Sequence, residues 1–508
     1  MSSRSNIILR ILAAILLVCL LTLLLFIFSK VYANFKGASN VVNVYEKVSS
    51  EFDHHHPYFK WLPDGENIGG NINPFIRSDI QKAYLRSWAS ANLSIRDHKD
   101  LGLIEHYSEE MRTKITQYFK GDYDSVIENI DLNHELELHF ISFDKQVVSF
   151  TDHNVRTIQR IKNQVQTPIQ EEVFDYKVVM TLDDGKWRIN KMLRTEEADT
   201  SFYKKRKPIS FNAADIRGVN YYPQKYPWRK FWSHFPKDTI ESDFKLIDSL
   251  GFNTIRFFIP FNEFGGPHIS EDNLLKLDFL ISTAKIHDLK VMPTLFDFPV
   301  GFELLKYTGY DRHLKIILER YKDEEAIIAW DLKNEPDIDF EYHKKEDVLA
   351  WLDFMIKQAK RYDENHPLTI GWAHIENGSY LSENLDFVSF HYYEEIDKLN
   401  DRFEVLQSAV GDKEILVSEY GMTSYDGFYP GAHSETEQSE YIVALNNFML
   451  EKGMGGMLWS FYDFDEAPSD IFGWKPWVKA TQKEFGIINA DGSQKPSATQ
   501  IKNIFRNN

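Results

Sequence analysis

Two glutamates stand where acid–base and nucleophilic chemistry is easiest to arrange. Glu335 lies in Trp330-Asp331-Leu332-Lys333-Asn334-Glu335-Pro336, and Glu419 in Leu416-Val417-Ser418-Glu419-Tyr420-Gly421. Each follows a short apolar run that reads as a buried strand, and each is followed by a loop. Two carboxylates at the C-terminal ends of parallel strands supply what cleavage of a glycosidic bond with retained configuration needs. One protonates the leaving oxygen while the other attacks the sugar carbon.

The elements that must hold this pair are a repeating series. From Ile216 onward eight strand-like runs alternate with amphipathic helices: Ile216–Tyr222, Thr254–Ile259, Lys290–Phe296, Ile327–Leu332, Leu368–Trp372, Phe387–Tyr392, Ile415–Glu419 and Gly456–Phe461. Between the first two, Ile240, Phe244, Ile247 and Leu250 form a helical stripe that stops at Gly251. Eight such repeats over about 300 residues point to an α/β fold, a (β/α)₈ TIM barrel. A doubly wound open sheet fits less well, because no Gly-rich phosphate turn follows the first strand. In a barrel the site forms at the C-terminal strand ends. The polar residues expected there are Arg256, Asn334, Glu335, His391, Tyr393 and Glu419, with Trp459 beside them.

These pieces together resemble clan A of the glycoside hydrolases, and family 5, with its cellulases and mannanases, most closely. The resemblance rests on Asn334-Glu335-Pro336, His391-Tyr392-Tyr393, Ser418-Glu419-Tyr420-Gly421 and Leu458-Trp459-Ser460-Phe461, in that order on successive strand ends. It covers residues from about 208 to 508. It implies that Glu335 is the general acid and then base, with a raised pKa, and Glu419 the nucleophile. It also implies that Arg256 and Tyr393 support Glu419, and that Asn334 binds the sugar 2-hydroxyl. His391 would bind substrate or tune the acid, and Trp459 would form the floor under the sugar. The family commonly carries a histidine near the end of the third strand, where this chain reads Thr294-Leu295-Phe296-Asp297-Phe298. Asp297 is therefore a departure that bears on the sugar recognised. Aromatics expected around the rim are Tyr221, Tyr222, Trp228, Trp232, Trp372, Tyr425, Tyr429, Tyr462, Trp474 and Trp477, about a third of them as ligand contacts.

The remaining 200 residues divide into three. Residues 1–36 read as a cytoplasmic tail and a transmembrane anchor, because Ile7 to Phe28 is apolar except for Arg10 and Thr22. That length crosses a hydrocarbon core, although Val31-Tyr32-Ala33 would also serve as a signal cleavage site. Residues 37–74 read as a tether. Residues 75–198 carry helical stripes (Ile80, Tyr84, Leu85, Trp88), then alternating runs, with a hairpin signal at Asp183-Asp184-Gly185-Lys186. Helices followed by a curved antiparallel meander resemble the nuclear transport factor 2-like α+β cone, which implies a spacer or a homodimer module. No acid–base pair is recognisable within it. A basic linker, Lys204-Lys205-Arg206-Lys207, precedes the barrel at 208–508.

Composition sets the outer limits. A formal charge of −18 argues against a nucleic-acid partner. The single cysteine, Cys19, excludes an intrachain disulfide. No metal cluster is apparent, since His54-His55-His56 has no further ligand nearby. Double displacement needs no cofactor. The reading is a membrane-anchored retaining β-glycoside hydrolase acting on an extracytoplasmic polysaccharide or oligosaccharide, in a bacterial periplasm or at a cell surface. Two alternatives stay open: a catalytically silent carbohydrate-binding or scaffold protein of an envelope assembly, and a transglycosylase using the same glutamates.

Overall fold

Apolar runs of four to six residues, each flanked by helical stripes, can bury both faces only by packing side by side beneath a ring of helices. The computed structural model, which describes residues 53–66, 69–120, 126–161, 169–197, 208–298 and 300–507, has that arrangement. Strands β7 (Arg217–Asn220), β8 (Thr254–Phe258), β9 (Lys290–Thr294), β10 (Trp330–Asn334), β11 (Leu368–Trp372), β12 (Val388–Tyr392), β13 (Ile415–Tyr420) and β14 (Gly455–Leu458) close into one barrel. All eight pair in parallel, β14 returning to β7. The fourth strand starts later than its apolar run predicts: Ile327 makes only an isolated bridge to Val291, and the ladder begins at Trp330.

Local signals explain the helices. The helix Glu435–Lys452 opens with a capping box, in which Ser434 Oγ accepts from the Glu437 amide and Glu437 accepts from the Ser434 amide. It closes on Gly453 in the left-handed region.

A second sheet precedes the barrel. Its strands are β1 (Tyr58–Trp61), β2 (Val126–Asp131), β3 (Asn133–Ile141), β4 (Val147–Ile161), β5 (Ile169–Asp183) and β6 (Lys186–Glu197). The path runs β1-β3-β4-β5-β6, with β2 pairing β4 and only the β1–β3 pair parallel. Asp184 and Gly185 both have positive φ between the paired Asp183 and Lys186, a two-residue turn that matches strand twist. The helix Pro74–Asp97 buries Ile80, Tyr84 and Trp88 against this sheet, while Leu85 is half-buried. One feature differs from the sequence expectation: Tyr58–Trp61, inside the expected tether, is a strand. Strands β4 and β5 run to 15 residues each.

The sheet and the barrel share the unit His56–Asn508. Arg156 of β4 reaches the barrel helix Lys345–Tyr362, donating to Gln358 and, at 2.9 Å, to Tyr362 Oη. Glu171 of β5 accepts from both Arg156 and Arg361. Among the described residues no helix is long and apolar enough to cross a membrane. The predicted span Ile7–Phe28, Cys19 and the linker Lys204–Lys207 lie outside those residues.

Candidate active site

The C-terminal ends of the barrel strands gather the predicted polar residues around a cavity of about 440 Å³. Arg256, on β8, is the hub and is fully buried. Its guanidinium donates to Asp331 Oδ2 through Nε at 3.0 Å and Nη2 at 2.6 Å, and to Asn334 Oδ1 at 2.9 Å. Its Nη1 donates to Asn220 Oδ1 at 2.8 Å and to Glu419 Oε1. A planar five-donor group suits such a convergence of acceptors. Burial alone would lower the arginine, but Asp331 and Glu419 outweigh it and hold the pKa above its ordinary value.

Glu419 is almost sealed, its side chain 6% exposed. Its second oxygen accepts from the Tyr393 hydroxyl at 2.7 Å and lies 3.6 Å from His391 Nδ1. Burial would raise its pKa, yet His391, Arg256 and Tyr393 together hold it below the ordinary carboxylate value. Glu335 sits across the cavity and is more open, 28% exposed, with His391 Nδ1 3.0 Å from its Oε1. Its φ of 47° lies in the left-handed region, a conformation that costs a non-glycine residue on the order of 1 kcal/mol. The Glu335 amide donating to Gly371 O at 2.7 Å helps to hold it there. Burial pulls His391 down, but Glu419 and Glu335 pull harder and raise it. Trp459, 8% exposed, lines the cavity with Tyr222 and Phe258 packed edge-on against it.

Register irregularities fall at these ends: between Asp331 and Asn334 on β10, between Phe390 and His391 on β12, and between Val417 and Tyr420 on β13. Such bulges turn a side chain off the strict alternation of a strand, which is how neighbouring strands aim Asn334, His391 and Glu419 at one point.

All seven predicted site residues therefore meet. Three supporting residues escaped the sequence reading: Asn220, whose Nδ2 donates to Ser418 O at 3.0 Å, Asp331, and Gly371. Asp331 Oδ1 accepts from the Gly371 amide at 2.9 Å. A Cβ at Gly371 would lie 2.9 Å from Asp331 Oδ2 and 3.0 Å from His391 Nε2, so only glycine fits that approach. The one signal available was the donor count. A buried guanidinium has five N–H donors and a single carboxylate cannot accept them all. Further acceptors are needed, and Asp331 precedes Asn334 on the same strand. Of the ten aromatics expected at the rim, Tyr222 and Trp228 line this cavity. Tyr221, Trp232 and Trp372 are core, and Trp474 is 88% exposed.

Glu335, His391 and Glu419 also present ligand atoms within 4.8 Å of one another, a spacing that suits a metal ion. The Arg256 guanidinium already engages Glu419 and opposes a cation at that point. The small sheet holds a cluster that the sequence reading did not single out, His134 between Asp131 and Asp152, all three fully buried.

Residues 214–465 match the family described as Cellulase (glycosyl hydrolase family 5). A probable mannan endo-1,4-β-mannosidase C of Aspergillus terreus is 25% identical over 198 residues, 32% of this chain and 46% of that protein. A β-glucuronidase of Chlorocebus aethiops is 23% identical over 210 residues, 37% of this chain and 31% of its own length. An exo-β-1,4-mannosidase structure from Opitutaceae bacterium strain TAV5 aligns at 18% identity with a TM-score of 0.48, over 57% of this chain and 59% of that one. The chain spans less than half the length of these two curated relatives. With the family match lying over the barrel and the motif residues meeting at its strand ends, the barrel is that of a clan A glycoside hydrolase, most like family 5.

Proposed function

We propose that the chain is a retaining β-glycoside hydrolase acting on a polysaccharide or oligosaccharide by double displacement. The observation that carries this reading is the pair Glu335 and Glu419, with carboxylate oxygens within 4.8 Å of each other in unlike surroundings. Carboxyl groups roughly 5–5.5 Å apart belong to retention, whereas inversion needs about 6.5–9.5 Å to admit a water. In the first step a Glu419 oxygen attacks the anomeric carbon while Glu335 gives its proton to the departing glycosidic oxygen. In the second a water passes a proton to Glu335 and attacks the same carbon, releasing Glu419. Arg256 and Tyr393 keep the nucleophile ionised between turnovers. Burial and the two glutamates hold the Tyr393 phenol well above its ordinary pKa, so it stays a donor. Asn334 accepts from Arg256 through Oδ1, which leaves its amide N–H groups for the sugar 2-hydroxyl. His391 contacts Glu335 and tunes the acid, and Trp459 forms the floor.

β-1,4-Mannan is the first substrate to test, because the similar Aspergillus protein is a probable mannan endo-1,4-β-mannosidase. Ile7–Phe28 as an anchor, with the barrel outside the cytoplasm, completes the proposal, and the small sheet domain serves as spacer or homodimer module. Transglycosylation by the same glutamates differs only in the acceptor of the second step. The test is proton NMR of the first product from mannan, β-glucan and aryl β-glycosides, with Glu419→Ala as blank. The β-anomer should appear first; an α-anomer would overturn retention. No turnover on any substrate would favour the silent binding protein.

A further inference from the structure

Two carboxyl groups in the cleft have no task in the double displacement: Asp339, which is paired with Lys333, and Asp297. Asp297 stands just beyond the end of β9 and lines the cavity that holds Glu335 and Glu419. The Tyr222 hydroxyl donates to its Oδ2 at 3.2 Å, and among the described residues that is its one hydrogen bond. It forms no ion pair there either. The side chain is half-buried at the cavity wall rather than sealed in the core.

The position is electrostatically unfavourable. Burial and the charge of Glu419 push Asp297 up to about 7, against the opposing pull of Arg256, Lys333 and the Tyr222 hydroxyl. Asp297 is not needed to close the barrel or to satisfy Arg256, whose acceptors are Asn220, Asp331, Asn334 and Glu419. A strained carboxyl kept at a cavity wall, with an oxygen left over, is suited to a ligand. The rest of the wall says which kind. Its carboxyl groups are Asp297, Glu335, Asp339 and Glu419, against the ammonium of Lys333 and, behind Glu419, the buried guanidinium of Arg256. Lys333 is already paired with Asp339 at 3.1 Å.

We propose that Asp297 sets the sugar specificity of the cleft: its carboxyl hydrogen-bonds ring hydroxyls of an uncharged pyranose at the cleavage point, and the same carboxyl excludes hexuronic acids. This rests on the glycosidase reading above. Vicinal hydroxyls offer two donors at a spacing that one carboxyl can accept. A hexuronate would bring its own carboxylate into a cavity of like charge, with the Lys333 ammonium already engaged.

The test uses the full chain with 4-nitrophenyl β-mannoside, β-glucoside, β-galactoside, the matching β-1,4-linked biosides and β-glucuronide. The parent should prefer its best uncharged glycoside over the glucuronide at least a hundredfold in kcat/KM. Asp297→Asn should lower kcat/KM on that glycoside at least tenfold, narrow the preference, and remove an ionisation near pH 7 from the pH profile. A parent that prefers the glucuronide, or an Asp297→Asn protein with parental rates and pH profile, would overturn the proposal while leaving the hydrolase reading intact. The parent's own substrate ratio needs no variant, so the exclusion of uronates is decided even if Asp297→Asn fails to fold. If no glycoside is turned over by the parent, the hydrolase reading falls and the role of Asp297 falls with it. Activity in the parent that vanishes in Glu419→Ala shows that only the role of Asp297 is at stake.

Discussion

In the small sheet His134 is clamped between Asp131 and Asp152; in the barrel Arg256 is clamped between Asp331 and Glu419. Both clusters are buried cations held by two carboxylates, yet they are finished differently. In the sheet, His134 Nδ1 meets Asp152 Oδ2 at 2.6 Å and Nε2 meets Asp131 Oδ2 at 2.8 Å. Tyr84, the Glu135 amide and Asn92 donate to the remaining carboxylate positions. Both ring nitrogens face carboxylates, so both carry protons and the ring is an imidazolium. That cluster is complete and closed. In the barrel one carboxylate, Glu419, keeps an edge on the cavity, where only Tyr393 and His391 reach it. The same electrostatic device serves as a structural pin when every carboxylate oxygen is hydrogen-bonded, and, on the proposed reading, as a held nucleophile when one edge is left for a ligand. The cation differs too: arginine does not titrate in the accessible range, whereas histidine does.

Breaking the barrel cluster should have the largest effect. Arg256→Met leaves Asp331 and Glu419 buried without their cation, and the loss of one partner of a buried pair costs about 3–5 kcal/mol. Urea unfolding should show that loss, and turnover should fall on the order of 10²–10³-fold, as for a lost charge-stabilising donor. A variant with the parental midpoint would mean that the carboxylates are not held as charges.

The sheet cluster should reveal itself through pH. Burial would lower His134, but Asp152 and Asp131 outweigh it and hold it at about 9, raised from 6.5. A histidine raised in the fold stabilises fully below its unfolded value and ceases to as the pH rises through its folded one. Stability should therefore decline by about 3 kcal/mol between pH 6.5 and 9. Unfolding midpoints across that window should show the decline, and His134→Gln should flatten it. Equal stability at both ends in the parent would remove the imidazolium from the account.

Gly371→Ala should give the smallest change and an informative sign. Replacing a strand glycine by alanine ordinarily stabilises through the unfolded chain. Here the new methyl would press on Asp331 Oδ2, His391 Nε2 and Arg256 Nη2, at a cost of roughly 1–3 kcal/mol. Thermal unfolding should come earlier and activity should fall with it. A stabilised, fully active protein would show that the cluster has slack.

The barrel was legible because each strand is a short apolar run between helical stripes, and the site because its motif residues sit at the ends of those runs. What the sequence could not show depends on closure. Asn220, Asp331 and Gly371 act on other side chains across neighbouring strands, and the bulges that aim Asn334, His391 and Glu419 leave no mark in hydrophobic pattern. The aromatics failed for the same reason: Tyr221, Trp232 and Trp372 face the core while Tyr222 and Trp228 line the cavity, and residue type does not reveal direction. In the sheet, Asp152 meets His134 only after β3 pairs with β4, with Leu136 opposite Asp152. Three residues scattered over 131–152 therefore gave no motif.

We propose that Glu419, alone among the cavity carboxyls, attacks the sugar, held in its charged form for that step. A 2-deoxy-2-fluoro β-glycoside with a good leaving group slows release of the covalent intermediate and tests this directly. Intact-mass analysis should show one glycosyl adduct, and peptide mapping should place it on Glu419 within Leu416–Gly421. An adduct on Glu335 or Asp297, or steady turnover with no adduct and an inverted product, would contradict it.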